Sequence, residues 1–485
     1  MVFSDLHEYI EFLEKKGELL KIRAEVNPEL EVAEILRRLV SKGTGKAVLF
    51  EHVKGSTIPI LGNAFGSKEL VSQALGVKDP KEVGEKIGKL LEFEPPRGLI
   101  QSLKTIPQLR ELAEIGPKRV KSGKVKEIVR FEDASLDELP NLKVWPKDGG
   151  RFITFPLVIT KNLDSGKINI GVYRMQVFSP RSAAVHWQKH RPSAVAHREA
   201  ENRQEKMEVA VVIGADPATI FAGVAPVPEG IDEYLFSGLI RGRGVELVKC
   251  ETLDLEVPAN AEIVIEGTVR PDNYVIEGPF GDHTGYYTPR EKYPLLDVSA
   301  ITRRSDAVYL ATVVGKPIQE DSFLAEAASA AFFQPLKLLL PEVRDIYLPP
   351  EGVFTGMGVV SIKKNYPAQA KKVMFALWGL PQLMFLKFVV VVDDDIDIRN
   401  MSEVIWAVAT RVDPGRDVLI IPGAVTDSLD HASPLPNVGS KMGIDATRKL
   451  PEEGYQREWP EVVSPDEATV RLVDSRWAEY FGSNL

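Results

Sequence analysis

The sequence predicts an α+β protein of several domains: an α/β domain first, a mostly antiparallel, barrel-like middle, and an α/β domain last. Three observations carry this. The chain has 485 residues, too many for one domain of about 100–200 residues. Apolar positions recur three and four apart over 5–16 and 29–41, with short apolar runs after them. From 127 the texture changes to strands separated by Gly, Pro and Asp turns, and helix–strand alternation returns after 368. The expected divisions are 1–126, 127–320 and 321–485.

In chain order, Ser4 and Asn27-Pro28 are start signals for the first two helices, and Gly17 and Gly43 are stops. Strands are expected at 46–50 and 58–61, and an Asp-Pro opening predicts an amphipathic helix over 80–92. The Pro/Gly-marked, charged stretch 94–126 reads as a boundary whose middle is compatible with a helix. In the middle domain, strands at 153–160 and 168–178 flank the turn 162–166 as a hairpin. Further strands are expected at 208–214, 245–250, 262–270 and 307–313, with helices near 217–223 and 233–240 opened by Asp216-Pro217 and Asp232. Towards the C-terminus, a helix over 368–384, a buried strand at 388–392, a helix over 402–412 and a strand at 418–422 suggest a β-α-β crossover. A Gly/Pro/Ser-rich segment, 432–444, leads to a polar end.

Composition narrows the function. With 44% hydrophobic and 27% charged residues the chain is ordinary for a soluble protein, and 60 Lys and Arg against 69 Asp and Glu leave a net charge of −9. No basic run offers the footprint that phosphate-backbone binding needs, so a small-molecule partner is expected rather than nucleic acid. The lone Cys250 excludes an intramolecular disulfide and a Cys-based metal cage, and a reducing cytoplasm fits. The N-terminus lacks the pattern of a secretory signal, and the longest apolar runs fall below the roughly 18 residues of a membrane span.

Three local patterns suggest chemistry. His186 and His190 stand four apart, with His197 nearby; this suits two metal ligands on one helical face, while hydrogen-bonding histidines are the commoner reading of such spacing, and Pro192 limits a helix running past it. The segment 276–287, with three glycines and a proline, forces turns and leaves Glu277, Asp282 and His283 on a shaped loop. Paired carboxylates in a partly dry site repel, so one could keep a proton as general acid; capping of a turn by Asp282 is the plainer reading. Arg174, among apolar neighbours, needs an anion, supplied either by a ligand or by a carboxylate of the protein. The acidic run 393–397 reads as strand-end and capping carboxylates, and no complete dinucleotide or P-loop glycine pattern occurs.

Read together, NIGVYRMQV at 169–177, HWQKHR at 186–191, Asp232-Glu233-Tyr234, Lys249-Cys250-Glu251, EGPFGDHTGY at 277–286 and GSKMG at 439–443 resemble the UbiD family of decarboxylases, in order over nearly the whole chain. The resemblance implies a middle domain that is a split β-barrel related to flavin reductases, and a C-terminal domain used in oligomerisation, as a dimer or hexamer. It implies prenylated FMN as cofactor, supplied by a flavin prenyltransferase. A divalent metal, manganese by the family's habit, would hold the cofactor phosphate through Asn169, His190 and Glu233, with potassium as an additional candidate. Val172, Tyr173, Arg174, His186, Trp187, Gln188, Arg191, Pro192 and Lys441 would line the cofactor. The catalytic set would be Arg174 on the substrate carboxylate, Glu277 fixing Arg174, and Asp282 as donor of the proton that replaces carbon dioxide.

In a straight strand Asn169 and Arg174 point to opposite faces, so a bulge or bend is expected at Gly171, or Asn169 reaches from the strand's end. The wording of the motifs is most similar to the family's quinone-biosynthesis members. It implies a (poly)prenylated hydroxybenzoate or dihydroxynaphthoate as substrate, with a peripheral membrane contact fitting so greasy a molecule. Two alternatives stand beside it: decarboxylation of trans-anhydromevalonate 5-phosphate in an archaeal isoprenoid route, and a flavin-dependent oxidoreductase on the same barrel. The apolar stretch 323–333 and the helix at 373–386 are candidate walls of a substrate pocket and equally ordinary core helices.

Overall fold

Asp5, rather than Ser4, caps the first helix, Leu6–Lys16: its carboxylate accepts the Glu8 amide at 2.8 Å, while Glu8 takes the Ser4 amide at 2.7 Å. Burial of Leu6, Tyr9, Ile10 and Leu13 sets that frame, and Gly17 ends the helix at a φ of 72°, where a side chain would be strained. The computed structural model describes residues 2–91, 113–189, 191–227, 232–354, 356–381 and 383–482. Residues 92–112, which include the first part of the expected boundary region 94–126, and His190 lie outside the described residues.

Among the described residues the strands form four sheets. In the first, Leu19–Ile22, Ala47–Phe50 and Ile60–Gly62 are joined by Tyr309–Leu310, which crosses from the middle of the chain to pair parallel with Ile60–Gly62. One continuous core runs from Phe3 to Ala331, so the first two-thirds of the chain share their hydrophobic interior. The largest sheet is antiparallel. Its order is Phe152–Ile153, Met175–Ser179, Ser182–Val185, Glu291–Arg303, Ile263–Glu277, Met207–Ile213, Pro156–Lys161, Ile168–Val172, with Ile128–Arg130 added beside Glu291–Arg303. Its end strands do not pair among the described residues, so the sheet is mixed into an α/β multidomain fold without a closed barrel of hydrogen bonds.

Two expectations fail here for local reasons. The single strand expected over 168–178 is two, Ile168–Val172 and Met175–Ser179, at opposite ends of the sheet path. The bend lies at Tyr173-Arg174 and not at Gly171, whose ladder to Val158 is regular. Gly171 is nevertheless required, because a Cβ there would lie 2.6 Å from the Tyr173 ring folded over it. As expected, no helix runs from 186–189 past Pro192; Pro192 instead opens one, Pro192–Asn202, since a first-turn residue needs no hydrogen-bonded N–H.

The C-terminal sheet corrects the expected crossover. Phe388–Asp393 lies parallel to Met357–Ile362 on one side and to Val438–Ala446 on the other. The strand Val418–Val425 is an antiparallel edge beside Val438–Ala446. The Gly/Ser-rich segment is therefore an interior strand, and its glycines admit close packing: a Cβ on Gly443 would sit 2.4 Å from the Met374 sulfur. The true crossover is Met357–Ile362, helix Gln369–Gly379, Phe388–Asp393. That helix covers one face, Met401–Arg411 covers the other. Helix Glu320–Leu339 joins the parts, burying Leu324 to Ala331 in the first core and Leu336 against the C-terminal sheet.

Candidate active site

Arg174 sits at the bend between two strands, and Glu277 is the last residue of the long strand Ile263–Glu277. The loop that follows is pinned from two sides. Gly278 N–H donates to Gln176 Oε1 at 2.7 Å, and Gly281 N–H to Asp148 Oδ1 at 2.9 Å. Gly278 has a φ of 92°, and Gly281 presses so close to Trp145 that a Cβ would meet its Cδ1 at 2.1 Å. These constraints deliver Asp282 to the guanidinium.

Arg174 donates through Nε to Glu277 Oε1 at 3.0 Å and through Nη2 to Glu277 Oε2 at 3.3 Å. Its Nη1 donates to Asp282 Oδ2, and Nη2 also reaches Thr288 Oγ1 at 3.3 Å. The guanidinium lies 4.6 Å from the Phe280 ring centre. Side-chain exposures of 8% for Arg174, 0% for Glu277 and 9% for Asp282 put all three charges in a poorly hydrated setting, where each needs the others. Thus the protein's own carboxylates are the anions that the buried arginine requires.

Electrostatics decide which carboxylate holds a proton, and the answer is neither. Burial raises the Glu277 pKa, but a hydrogen bond from His186 Nδ1 at 3.2 Å and the Arg174 charge outweigh it and bring the carboxyl to about 2. Burial likewise opposes ionisation of Asp282, yet Arg174 and His283 hold it well below the usual range. Like-charge repulsion, expected to leave one acid protonated, is cancelled because the two carboxylates share one cation. His186 is itself kept low, first by burial and then by Arg174.

A second cluster surrounds Asn169. Its Nδ2 donates to Ser193 Oγ at 2.9 Å, and Ser193 Oγ lies 3.0 Å from Thr160 Oγ1. Glu233, the first residue of helix Glu233–Arg241, takes hydrogen bonds from its own amide and that of Ile170, next to Asn169. Burial pushes Glu233 up to about 7. Asn169 is half-buried and turned towards Ser193 rather than to solvent. Among the described residues no group of three His, Cys, Asp or Glu converges as a metal site.

The remaining residues divide. Tyr173 and Trp187 are buried, Val172 and Gln188 half-buried, and Arg191 and Pro192 exposed at the start of their helix. The Trp187 indole N–H is buried with no partner among the described residues, a polar atom facing an unfilled need. Lys441 is not brought to the trio: its Nζ donates to the Met384 and Leu386 carbonyls at 2.6 and 2.9 Å, in a C-terminal cavity of about 390 Å³ beside Trp378, and burial lowers it to about 8. Four further residues reach the site: Phe280 and Thr288 on Arg174, Tyr293 3.4 Å from His186 Nε2, and His283 on Asp282. Phe280 and His283 lay inside the motif, whereas Thr288 and Tyr293 lay beyond it and carried no signal of their own.

Arg174, Glu277 and Asp282 thus form one buried, ion-paired cluster at the end of the largest sheet. Family models described as domains of 3-octaprenyl-4-hydroxybenzoate carboxy-lyase match at three places: the N-terminal domain at 10–91, the Rift-related domain at 118–317 and the C-terminal domain at 322–446. An uncharacterized protein of Archaeoglobus fulgidus is 50% identical over 480 residues, 99% of each chain, and one of Aeropyrum pernix is 44% identical over 481, covering 98% of this chain and 99% of the other. Among solved structures, the closed form of vanillic acid decarboxylase from Sedimentibacter hydroxybenzoicus is similar with a TM-score of 0.87, 29% identity and coverage of 99% of this chain and 100% of that one. The UbiD-class enzyme HmfF from Pelotomaculum thermopropionicum, in complex with FMN, has a TM-score of 0.80 at 33% identity, over 97% and 99%. The chain belongs to the UbiD family and is a decarboxylase, a carboxy-lyase.

Proposed function

We propose that this protein releases carbon dioxide from an aromatic or α,β-unsaturated carboxylic acid with prenylated FMN as cofactor, and that the acid is a (poly)prenylated hydroxybenzoate or dihydroxynaphthoate of quinone biosynthesis. The observation that carries the reading is Arg174 held between Glu277 and Asp282 with almost no exposure. An incoming carboxylate can replace Asp282 on Nη1 while Glu277 keeps the guanidinium in place through Nε and Nη2. Asp282, released from its cation in a dry setting, gains proton affinity and becomes a competent acid. The family description supports the prenylated hydroxybenzoate.

The residues fit the cofactor. The unpartnered Trp187 N–H and the Asn169–Glu233 pair offer a donor, an amide and a buried carboxylate, a set suited to a phosphate held through a hard divalent ion, with His190 as the third ligand. When bound, the modified flavin would supply the electron sink for the bond that carbon dioxide leaves. Manganese is the metal this reading favours, with potassium as a further ion, and Lys441 joins the phosphate if the C-terminal unit closes on the site. The reading includes a split barrel for the large sheet, units at 1–126, 127–320 and 321–485, a cytoplasmic homo-oligomer, and cofactor supplied by a flavin prenyltransferase. Among the described residues no helix is long and apolar enough to cross a membrane.

A second substrate that the same chemistry admits is trans-anhydromevalonate 5-phosphate, likewise an unsaturated carboxylic acid. One experiment tests all of this. The protein is co-expressed with a flavin prenyltransferase, its chromophore recorded, and carbon dioxide release measured from prenylated and plain hydroxybenzoates, dihydroxynaphthoate and the phosphorylated acid. Release from one acid class names the substrate. A chain that holds plain FMN and oxidises NADH instead overturns the decarboxylase reading. Asp282→Asn should bind flavin normally yet lose turnover and solvent-deuterium exchange, and unchanged exchange removes Asp282 from its role.

A further inference from the structure

Asp282 must receive a proton once per turnover, yet in the resting site it is a carboxylate with both oxygens engaged. Oδ2 faces Arg174, which cannot give up a proton at any working pH. Among the described residues Oδ1 faces His283 alone of the titratable side chains, at 2.9 Å from Nδ1, and also accepts the His283 backbone N–H at 2.7 Å. The other histidine of the site, His186, contacts Glu277 and Tyr293 and does not contact Asp282.

His283 is built as a carrier. Its side chain keeps 20% exposure against 9% for Asp282, so it touches both solvent and the acid. Its ring stacks on Phe354 at 5.4 Å between centroids, which fixes the Nδ1 direction. Three carboxylates act on it: Asp282 from its own loop, Asp321 from the first turn of helix Glu320–Leu339, and Asp427 from the segment after Val418–Val425. Burial opposes its protonation, but the hydrogen bond and charge of Asp282, with Asp321 and Asp427, raise its pKa overall. Asp321, pushed up to about 7 chiefly by burial, adds a neighbour able to hold a proton near neutral pH.

We propose that His283 is the residue that reloads Asp282, passing its Nδ1 proton to Oδ1 when the substrate carboxylate takes Arg174 away from Oδ2. This rests on the decarboxylase reading above. The imidazolium and carboxylate become a neutral imidazole and a carboxylic acid; the acid gives its proton to the carbon that lost carbon dioxide; and solvent reprotonates the imidazole. His283 acts through Asp282 and is a positioning and proton-supplying residue, not one that touches substrate.

The test uses full-length protein. In cofactor-loaded wild type, turnover should fall as pH rises through the His283 pKa, because the imidazolium is the proton source. His283→Gln keeps a hydrogen bond to Asp282 but carries no proton, so it should bind flavin equally, lose that alkaline limb and slow by about 100-fold. His283→Ala should be accelerated by added imidazole. Independently of turnover, NMR of histidine-labelled, unloaded protein should show His283 titrating above an ordinary histidine and moving down in Asp282→Asn. A His283→Gln enzyme with wild-type rate and pH profile, or a His283 titration indifferent to Asp282→Asn, overturns the inference while the decarboxylase reading stands. Wild type that releases carbon dioxide from no acid overturns the reading itself.

Discussion

Replacing Arg174 by methionine keeps the aliphatic bulk and removes the one cation between Glu277 and Asp282. The carboxyl of Glu277 is held from its ordinary 4.5 to about 2, which at about 1.4 kcal/mol per tenfold in proton affinity is about 3 kcal/mol of stability. His186 supplies part of that, but the variant also leaves two buried carboxylates facing each other, and breaking a buried pair costs about 3–5 kcal/mol. The pH dependence follows from the sign. A pKa depressed in the folded state gives stability that is fully present above the unfolded value of 4.5 and is lost as pH falls towards about 2. Without Arg174, burial is opposed only by His186 and His283, so both acids bind protons more tightly than in wild type and less of that stability is present at neutral pH. The deficit of the variant should therefore be largest near neutral pH and shrink towards about pH 4. Urea midpoints of the unloaded chain, wild type against Arg174→Met, measured at both pH values by tryptophan fluorescence, check this. A deficit equal at both pH values would refute the claim that Arg174 acts by neutralising these two acids.

Glu233→Gln should leave the thermal midpoint nearly unchanged or raised, because burial already disfavours its charge, while lowering both metal content and flavin retained after gel filtration of the loaded protein. His7 Nε2 donates to Glu262 Oε2 at 3.0 Å, and that hydrogen bond raises its pKa. The stability it adds is present below the ordinary 6.5 and lost as pH rises through the folded value, so wild type should lose midpoint relative to His7→Asn between about pH 6 and about pH 8 in differential scanning calorimetry. Gly281→Ala should cost about 1–3 kcal/mol, because its Cβ would overlap Trp145, and should cut turnover by displacing the neighbouring Asp282; an unaltered Trp145 emission and rate would contradict the packing account.

Most helices and the buried strands of this protein were legible in its sequence, because their signals are local. The spacing in Leu6–Lys16, the Asp-Pro openings at 79–80 and 216–217, and the valine run of Phe388–Asp393 each declare an element without reference to the rest. Elements whose identity depends on a partner were misread. The strand Val438–Ala446 looks like a loop by composition, and only the helix above it explains why Gly443 has no room for a side chain. The bend at Tyr173-Arg174 is invisible in an apolar run, and the carboxylates that engage Arg174 there lie about a hundred residues away.

The amino-acid sequence by itself determined the family and the mixed α/β class and singled out Arg174, Glu277 and Asp282 as candidates, since these depend on residue types in a recognisable order. Tertiary structure decided their charge states. A proton's affinity for a carboxyl is set by burial and by which charges lie within a few ångströms, and neither quantity exists until the strand end, the bend and the loop at 278–288 meet. The same meeting put His283, and no other titratable side chain among the described residues, against the Oδ1 edge of Asp282.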